Sequence, residues 1–361
     1  MAGVKGKVNP SFWMGKKVFL TGHTGFKGSW LSLWLQSMGS VVKGFALEPT
    51  SNPSLFSEAK VGDNMDSQIG DIRDLEILKN SMIAFNPEIL IHMAAQPLVR
   101  LSYLEPVETY TTNVIGTVNV LEAARSCLNL KAIVSITTDK CYENKEWAWG
   151  YRENEPMGGH DPYSSSKGCA ELVIAAYRSS FFNTNDTAYL ASARAGNVIG
   201  GGDWSKDRLI PDILKAFEKQ VPVIIRNPLA TRPWQHVLEP LSGYLVLAQQ
   251  LFIEGNDFAE AWNLGPKDED CKSVSWILDQ MTAKWGKGAS WQLDDNNNPH
   301  EAGYLKLDCS KASTRLYWQP NWDLEYTLDN IVHWHQVWLS GKNMQNQCLK
   351  EISTYQNGTH E

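Results

Sequence analysis

The sequence predicts an α/β chain built on a doubly wound parallel sheet, with a smaller domain towards its C-terminal end. Three observations carry this. Short apolar runs alternate with helically spaced apolar residues from about residue 17 to residue 195. A glycine-rich turn joins the first run to the first helix. The alternation stops after Gly200, where loop-forming sequence takes over. Strands alternating with helices imply parallel pairing, with helices packed on both faces of the sheet.

The elements follow in order. "KVFLTG" (17–22) is an apolar run that meets a glycine, and "SWLSLWLQSMG" then spaces Trp30, Leu31, Trp34, Leu35 and Met38 on one helical face, with Gly39 as the stop. "SVVKGFAL" reads as the second strand. A helix over about Leu75–Phe85 precedes the strand "EILIHMAA". A long helical stretch, "VETYTTNVIGTVNVLEAARS", precedes the strand "AIVSITT", and a helix over about Ser164–Phe182 precedes the strand "AYLASAR". Beyond Gly200 come "GGGDW", "RNPLATRPW", "GPKDEDC" and "LDDNNNPH" between short helices, as expected of a domain assembled over the sheet's carboxyl edge.

Composition narrows the function classes. The 361 residues exceed one ordinary core and suit two domains, and 43% hydrophobic with 20% charged residues suits a compact chain. A net charge of −7 argues against nucleic acid or an anionic membrane as partner. The six cysteines form no CxxC pair, no apolar stretch approaches the ~20 residues of a membrane span, and no metal-ligand pattern is evident. The leading "MAGVKGKVNP" lacks the apolar middle of a signal peptide, so a cytoplasmic protein with free thiols is expected.

Three motifs carry chemistry. "TGHTGFKG" places Gly22, Gly25 and Gly28 between a strand and a helix, where backbone approaches a pyrophosphate and the helix N-terminus receives its charge. A tight turn with no ligand is the bland alternative, and the motif's place in the first strand-helix unit argues against it. The second strand ends at Ala46 and Leu47 without the usual ribose-binding acid, and no Arg or Lys follows to meet a 2′-phosphate. "GDIRD" offers Asp71 and Ile72 to an adenine, or else Asp71 or Asp74 as a helix cap. His23 and Lys27 intrude on the turn: His23 is expected to crowd it and loosen a bound dinucleotide, and Lys27 is otherwise a surface residue.

"YSSSK" sets Tyr163 four residues before Lys167, on one helical face. A free phenol titrates near ~10, and a nearby cation is expected to bring it towards neutrality as a proton acceptor. "TTDKCY" sets Thr138, Asp139 and Lys140 at the end of an apolar strand, where the two-residue alternation of faces ceases and adjacent side chains can serve one site. A surface salt bridge is the alternative.

In sequence order, "TGHTGFKG", "HMAAQPLVR", "TTDKCY", "YSSSK" and "ARAGNVIGGGDW" resemble an extended short-chain dehydrogenase/reductase over nearly the whole chain, and Thr-Asp-Lys resembles the 4,6-dehydratase branch of that family. The resemblance implies an NAD-binding Rossmann-like domain over 15–200, rejoined by 235–265. A substrate-binding domain would span 201–234 and 266–345, with tails at 1–14 and 346–361. It implies a cofactor site of Gly22, His23, Thr24, Gly25, Phe26, Lys27, Gly28, Asp71, Ile72, Ala94 and Ala95, with Tyr163 and Lys167 beside the nicotinamide end. For the catalytic set Thr138, Asp139, Lys140, Tyr163 and Lys167, it implies Asp139 as acid and Lys140 as base. Free values near ~3.9 and ~10.4 would leave both in the wrong protonation state, and burial favours the neutral pair. For a nucleotide-sugar substrate it implies Gln96, Asn197, Arg208, Arg232 and His300. Arg226 competes as a phosphate clamp, and loop capping competes for Asn197 and His300. The insertion Trp147–Met157 either narrows the sugar space or forms a lid. Members of the family pair through helices into homodimers or homotetramers.

Overall fold

The computed structural model describes residues 6–184, 186–286, 288–294 and 304–358. Its strands are β1 (Lys17–Thr21), β2 (Val41–Ala46), β3 (Asp66–Ile69), β4 (Ile89–His92), β5 (Ala132–Ile136), β6 (Tyr189–Ala195), β7 (Asn197–Ile199), β8 (Val223–Ile225), β9 (Thr231–His236), β10 (Ala261–Leu264), β11 (Cys271–Ser273) and β12 (Trp291–Leu293). Seven of them form one sheet in the order β10-β6-β5-β4-β1-β2-β3, every pair parallel. The chain runs outward from β1 to β3 and then restarts on the other side at β4. That reversal opens a crevice at the carboxyl ends of β1 and β4.

The strands are apolar on both faces because both are covered. Val18 and Leu20 of β1, Ile89 and Ile91 of β4 and Val134 of β5 pack with Trp30, Leu31 and Trp34 of the helix Phe26–Ser37 and with Leu241 and Leu245 of the helix Leu238–Glu254. Phe19, Leu90 and Ile133, one residue out of phase, pack on the opposite face against Leu78 and Met82 of Leu75–Phe85, Val120 and Leu121 of Gly116–Ala124, and Ile174 of Pro162–Phe181. The expected long helix after residue 107 comes in pieces: Pro106–Tyr110 and Gly116–Ala124 are joined by Thr111–Ile115 with wider, π-type hydrogen bonding. Gly116 sits over Ile72, whose Cδ1 would lie 2.5 Å from a Cβ there.

A second body forms over the sheet's carboxyl edge. β9 pairs with β7 and β11, and a separate apolar core joins Ile213 and Phe217 of the helix Leu209–Glu218, Ile277 and Met281 of Val274–Trp285, and Leu328 and Ile331 of Leu324–Leu339. The segment 238–264 returns to the large sheet, where β10 adds beside β6.

The described parts of both expected tails, 6–14 and 346–358, hold helices. The short helix Pro10–Trp13 buries Trp13, whose Nε1 donates to Gln249 Oε1 at 2.7 Å. The helix Met344–Asn357 buries Met344, Cys348, Ile352 and Tyr355 against the Trp34 face of the helix Phe26–Ser37. Its overall polarity hid that stripe, in which apolar residues recur every three or four positions.

The seam under this helix holds two buried acids. Glu239 accepts from Tyr355 Oη and from the backbone N–H groups of Asn321 and Trp322, and burial pushes its carboxyl up to about 7. Glu351 faces His236 with Oε2 and Nε2 3.9 Å apart, neither atom hydrogen-bonded, and burial pushes Glu351 up to about 8. A carboxyl whose pKa is higher in the fold than in the unfolded chain contributes stability below the unfolded value and loses it as pH rises through the folded one. Glu351→Gln should therefore be more stable than the parent at about pH 9, on the order of a few kcal/mol, and should lose that advantage by about pH 5. Urea denaturation at both pH values checks this; a difference independent of pH would count against it.

Candidate active site

The site lies where β1, β4 and β5 end. Gly22 has φ +79°, and a Cβ there would meet Ala94 N at 2.7 Å; a Cβ on Gly28 would meet Gly22 O at 2.0 Å. Only glycine permits this approach of turn, helix and β4 end. Gly25 is exposed, with no side-chain cap over the first N–H groups of Phe26–Ser37, which leaves those donors to receive an anion. Thr24 Oγ1 donates to Leu47 O at 2.7 Å and pins the turn to the end of β2. Phe26 lies beside Gly200, and Ala94 N donates to Thr21 Oγ1, with Ala95 next along the crevice. A dinucleotide pyrophosphate fits this cradle.

The expected crowding by His23 does not occur. Its ring turns into the protein over Gly44 of β2, where a Cβ would lie 2.3 Å from His23 Cγ, and Nε2 bonds Ser67 Oγ at 2.7 Å. The missing side chain at 44 supplies the room that the missing glycine at 23 takes up. Burial lowers the imidazole to about 4, so it is neutral. Lys27 is not a surface residue either: its Nζ lies 3.5 Å from Tyr244 Oη, and burial, then the charges of Lys167 and Arg208, lower it to about 7. Of the two capping alternatives, Asp74 caps Leu75–Phe85. Asp71 instead grips the Arg73 guanidinium through both oxygens, and Arg73 also bonds Glu108. Ile72 is buried under Gly116.

At the end of β5 the strand gives way to a single tight turn, Asp139–Cys141. Thr138 Oγ1 donates to Asp139 Oδ1 at 2.9 Å, while Asp139 Oδ2 is buried, without a partner, over Gly196. Burial raises the Asp139 carboxyl; Lys140, and then the Thr138 bond, work against this more weakly. A carboxyl held towards its protonated form, with one oxygen free, is what a proton donor requires. Lys140 is partly exposed beside it. Tyr163 and Lys167 lie on one face of the first turns of Pro162–Phe181, which Asp161 caps, and both are buried. Burial lowers Lys167 to about 8. The phenol does not follow the expected direction: burial pushes Tyr163 up to about 12, and the hydrogen bond with Thr138 and the charge of Arg208 only partly oppose it. Desolvation of the phenolate outweighs the cations around it.

The residues expected at the substrate divide. Arg208 is close enough for its charge to act on Tyr163 and Lys27, and is held by Asp203 Oδ2 at 3.1 Å. The charge of Arg232 reaches Asp139, and its Nη1 donates to Thr231 O. Arg226 is exposed just beyond β8. Asn197 begins β7 opposite Trp234. Gln96 uses its amide internally: Nε2 donates to Thr109 Oγ1 and Oε1 accepts from Leu98 N. His300 lies outside the described residues. In the insertion, Trp147 packs on Trp149 and Tyr151, and Tyr151 on Tyr142, while Asn144 donates to Tyr304 O and the Tyr151 backbone pairs with 306–308. The aromatic insertion is thereby fastened to the second body.

Sequence reasoning missed a buried pair behind the site, Glu171 with Arg194, 2.7 Å apart. Its one legible signal was an acid four residues after Lys167 on a helix face that should be apolar.

A parallel sheet with this glycine turn, and with Tyr163 and Lys167 beside a Thr-Asp-Lys turn, defines an extended short-chain dehydrogenase/reductase. A sequence model of the GDP-mannose 4,6 dehydratase family matches residues 19–331, and the chain belongs to that family. It is 62% identical to a CDP-glucose 4,6-dehydratase of Salmonella typhimurium, over 98% of this chain and 99% of that protein. The dTDP-glucose 4,6-dehydratase of Bacillus anthracis, solved in complex with NAD, superposes with a TM-score of 0.73 at 21% identity, covering 89% of this chain and 97% of that one. The UDP-glucose 4-epimerase of Thermotoga maritima, solved with UDP-glucose, superposes with a TM-score of 0.76 at 21% identity, covering 90% and 99%. These two likenesses establish the fold.

Proposed function

We propose that this chain removes water from CDP-glucose in an NAD-dependent, redox-neutral reaction, giving CDP-4-keto-6-deoxyglucose for dideoxy-sugar synthesis. The observation that carries the chemistry is the turn after β5: a buried carboxyl with a free oxygen, next to an amine, at the mouth of a dinucleotide crevice. The nucleotide rests on the 62% relative, and on "KCYENKEWAWGYRENEPMGG", "RPWQHVLEPLSGY" and "NPHEA", which resemble such enzymes.

The glycine turn and the N–H groups of Phe26–Ser37 hold the cofactor, with Asp71 and Ile72 at its adenine end. Bound there, NAD would supply a reversible hydride acceptor for oxidation at C4 and reduction at C6. Tyr163 takes the C4 hydroxyl proton in its phenolate form, which burial disfavours in the unliganded site and the positive charge of Lys167 beneath it favours. The ketone makes the C5 hydrogen acidic. Lys140 removes that proton and gives it back to C5 once hydride has reached C6, Asp139 gives its own to the departing C6 hydroxyl, which leaves as water, and Thr138 fixes the Asp139 oxygen that does not react. Arg208 and Arg232, whose charges reach Tyr163 and Asp139, are candidate ligands for the diphosphate.

Incubation with NAD and a panel of nucleotide sugars tests this. The product should be one water lighter, reduced-cofactor absorbance should stay flat, and deuterium placed at C4 should appear at C6. CDP-glucose should be preferred over UDP-N-acetylglucosamine by about 100-fold or more. Accumulating reduced cofactor would indicate a simple dehydrogenase, and comparable turnover of the two sugars another 4,6-dehydratase.

The exposed apolar residues Val107, Ile115 and Leu172 lie on the segments 106–125 and 164–182, through which such enzymes pair. We propose a homodimer or homotetramer acting in the cytoplasm, and light scattering of the purified protein checks its mass. A monomer would refute the pairing. No helix among the described residues is long and apolar enough to cross a membrane.

A further inference from the structure

Three segments carry the groups assigned above, and one buried network ties them together. Glu171 lies one helical turn beyond Lys167 on Pro162–Phe181, and its side chain is 4% exposed. Its Oε1 accepts from Thr137 Oγ1 at 2.5 Å, next to Thr138. Its Oε2 accepts from Ser192 Oγ at 2.8 Å and from Arg194 Nη2 at 2.7 Å, both on β6. Arg194 Nη1 donates onward to Tyr142 Oη at 2.7 Å, two residues past Lys140, and to Glu153 O at the root of the aromatic insertion. Tyr142 Oη donates to Asn263 Oδ1 at 2.7 Å on β10. The strand end, the Asp-Lys turn and the Tyr-Lys helix are thus fastened to β6 and β10 through one carboxylate and one guanidinium.

We infer that Glu171 and Arg194 are positioning residues for the reaction: they hold Lys167, Thr138 and the Asp139–Lys140 turn in register, and the Glu171 carboxylate maintains the charge on Lys167. This rests on the function proposed above. The geometry carries it, because a buried ion pair used only for rigidity would have no reason to bond the neighbours of all three segments. The electrostatics agree. Burial lowers Lys167, and the Glu171 charge is the largest influence opposing it. Arg194 and the bonds from Arg194, Thr137 and Ser192 keep Glu171 below the usual carboxylate range despite its burial.

Glu171→Gln keeps the shape and removes the charge. Lys167 then gives up its proton at lower pH, so the alkaline limb of kcat should move about one pH unit towards acid. In addition, kcat should fall about 10- to 100-fold while KM for CDP-glucose changes little. Glu171→Asp, which retains the charge, should keep the alkaline limb in place. The same displacement should appear without substrate or cofactor, in an NMR titration of the Lys167 side chain assigned with Lys167→Met. That measurement stands even if CDP-glucose proves not to be the substrate. If Glu171→Gln does not fold, Tyr142→Phe removes the link to the Asp-Lys turn without burying a charge. It should lower kcat about fivefold at unchanged KM and pH profile. A Glu171→Gln enzyme with the parent pH profile and Lys167 titration, or a Tyr142→Phe enzyme with the parent kcat, would overturn the inference.

Discussion

Tyr163→Phe is expected to lower turnover of CDP-glucose by at least ~10³-fold with no ketone formed, whereas Asp139→Asn and Lys140→Met should each stop the reaction later, at about 10²- to 10⁴-fold loss. The separation follows from the geometry. Tyr163 and Lys167 come from the helix Pro162–Phe181, and Asp139 and Lys140 come from the turn after β5, so each pair is reached by substitutions in its own segment. The Phe variant loses the oxygen proposed to receive the C4 proton. Lys140→Met should oxidise C4 and then fail to exchange the C5 hydrogen with solvent deuterium. Asp139→Asn should exchange that hydrogen but retain the C6 hydroxyl, because an amide cannot protonate it. Mass spectrometry of recovered sugar nucleotide in deuterated water distinguishes the three. Near-parent dehydration by both turn variants would refute the assigned roles.

Gly44→Ala should be among the most damaging single changes away from the chemistry, destabilising the fold by about 3 kcal/mol. Gly44 is in β2, paired to both β1 and β3, and a Cβ would lie 2.3 Å from the buried His23 ring. That ring is hemmed in by Phe56 and held by Ser67, so its escape is into the nucleotide turn. Stability and NAD affinity should therefore fall together. Adding His23→Gly should recover most of both, a coupling that distant sites would not show. Guanidinium denaturation and NAD titration of the two single variants and the double variant check this; additive effects would show that the two positions are not complementary.

The sequence by itself determined the sheet and the glycine turn, and it named the residues that the fold brings together where β5 ends. Doubly apolar strands such as "AIVSI" can only lie between two helical layers, and the spacings within "TGHTGFKG" and "YSSSK" are local properties that survive in the fold. Strand termination could also be read locally: the alternation that should have separated Asp139 from Lys140 ends at Ile136, and the following turn places both at the crevice. Only the tertiary structure decided what each group's surroundings do to it. His23 is harmless because Gly44, 21 residues away, makes room for it. The phenol of Tyr163 rises where a local reading of Lys167 had it fall, because desolvation depends on everything packed around it. The C-terminal stripe of Met344, Cys348, Ile352 and Tyr355 is a tail until Trp34 offers it a face, and Glu171 is an unexplained acid until β6 brings Arg194 to it. Periodicity is written into adjacent residues. Burial and charge pairing are set by partners distant in sequence, and those become known only when the chain has closed on itself.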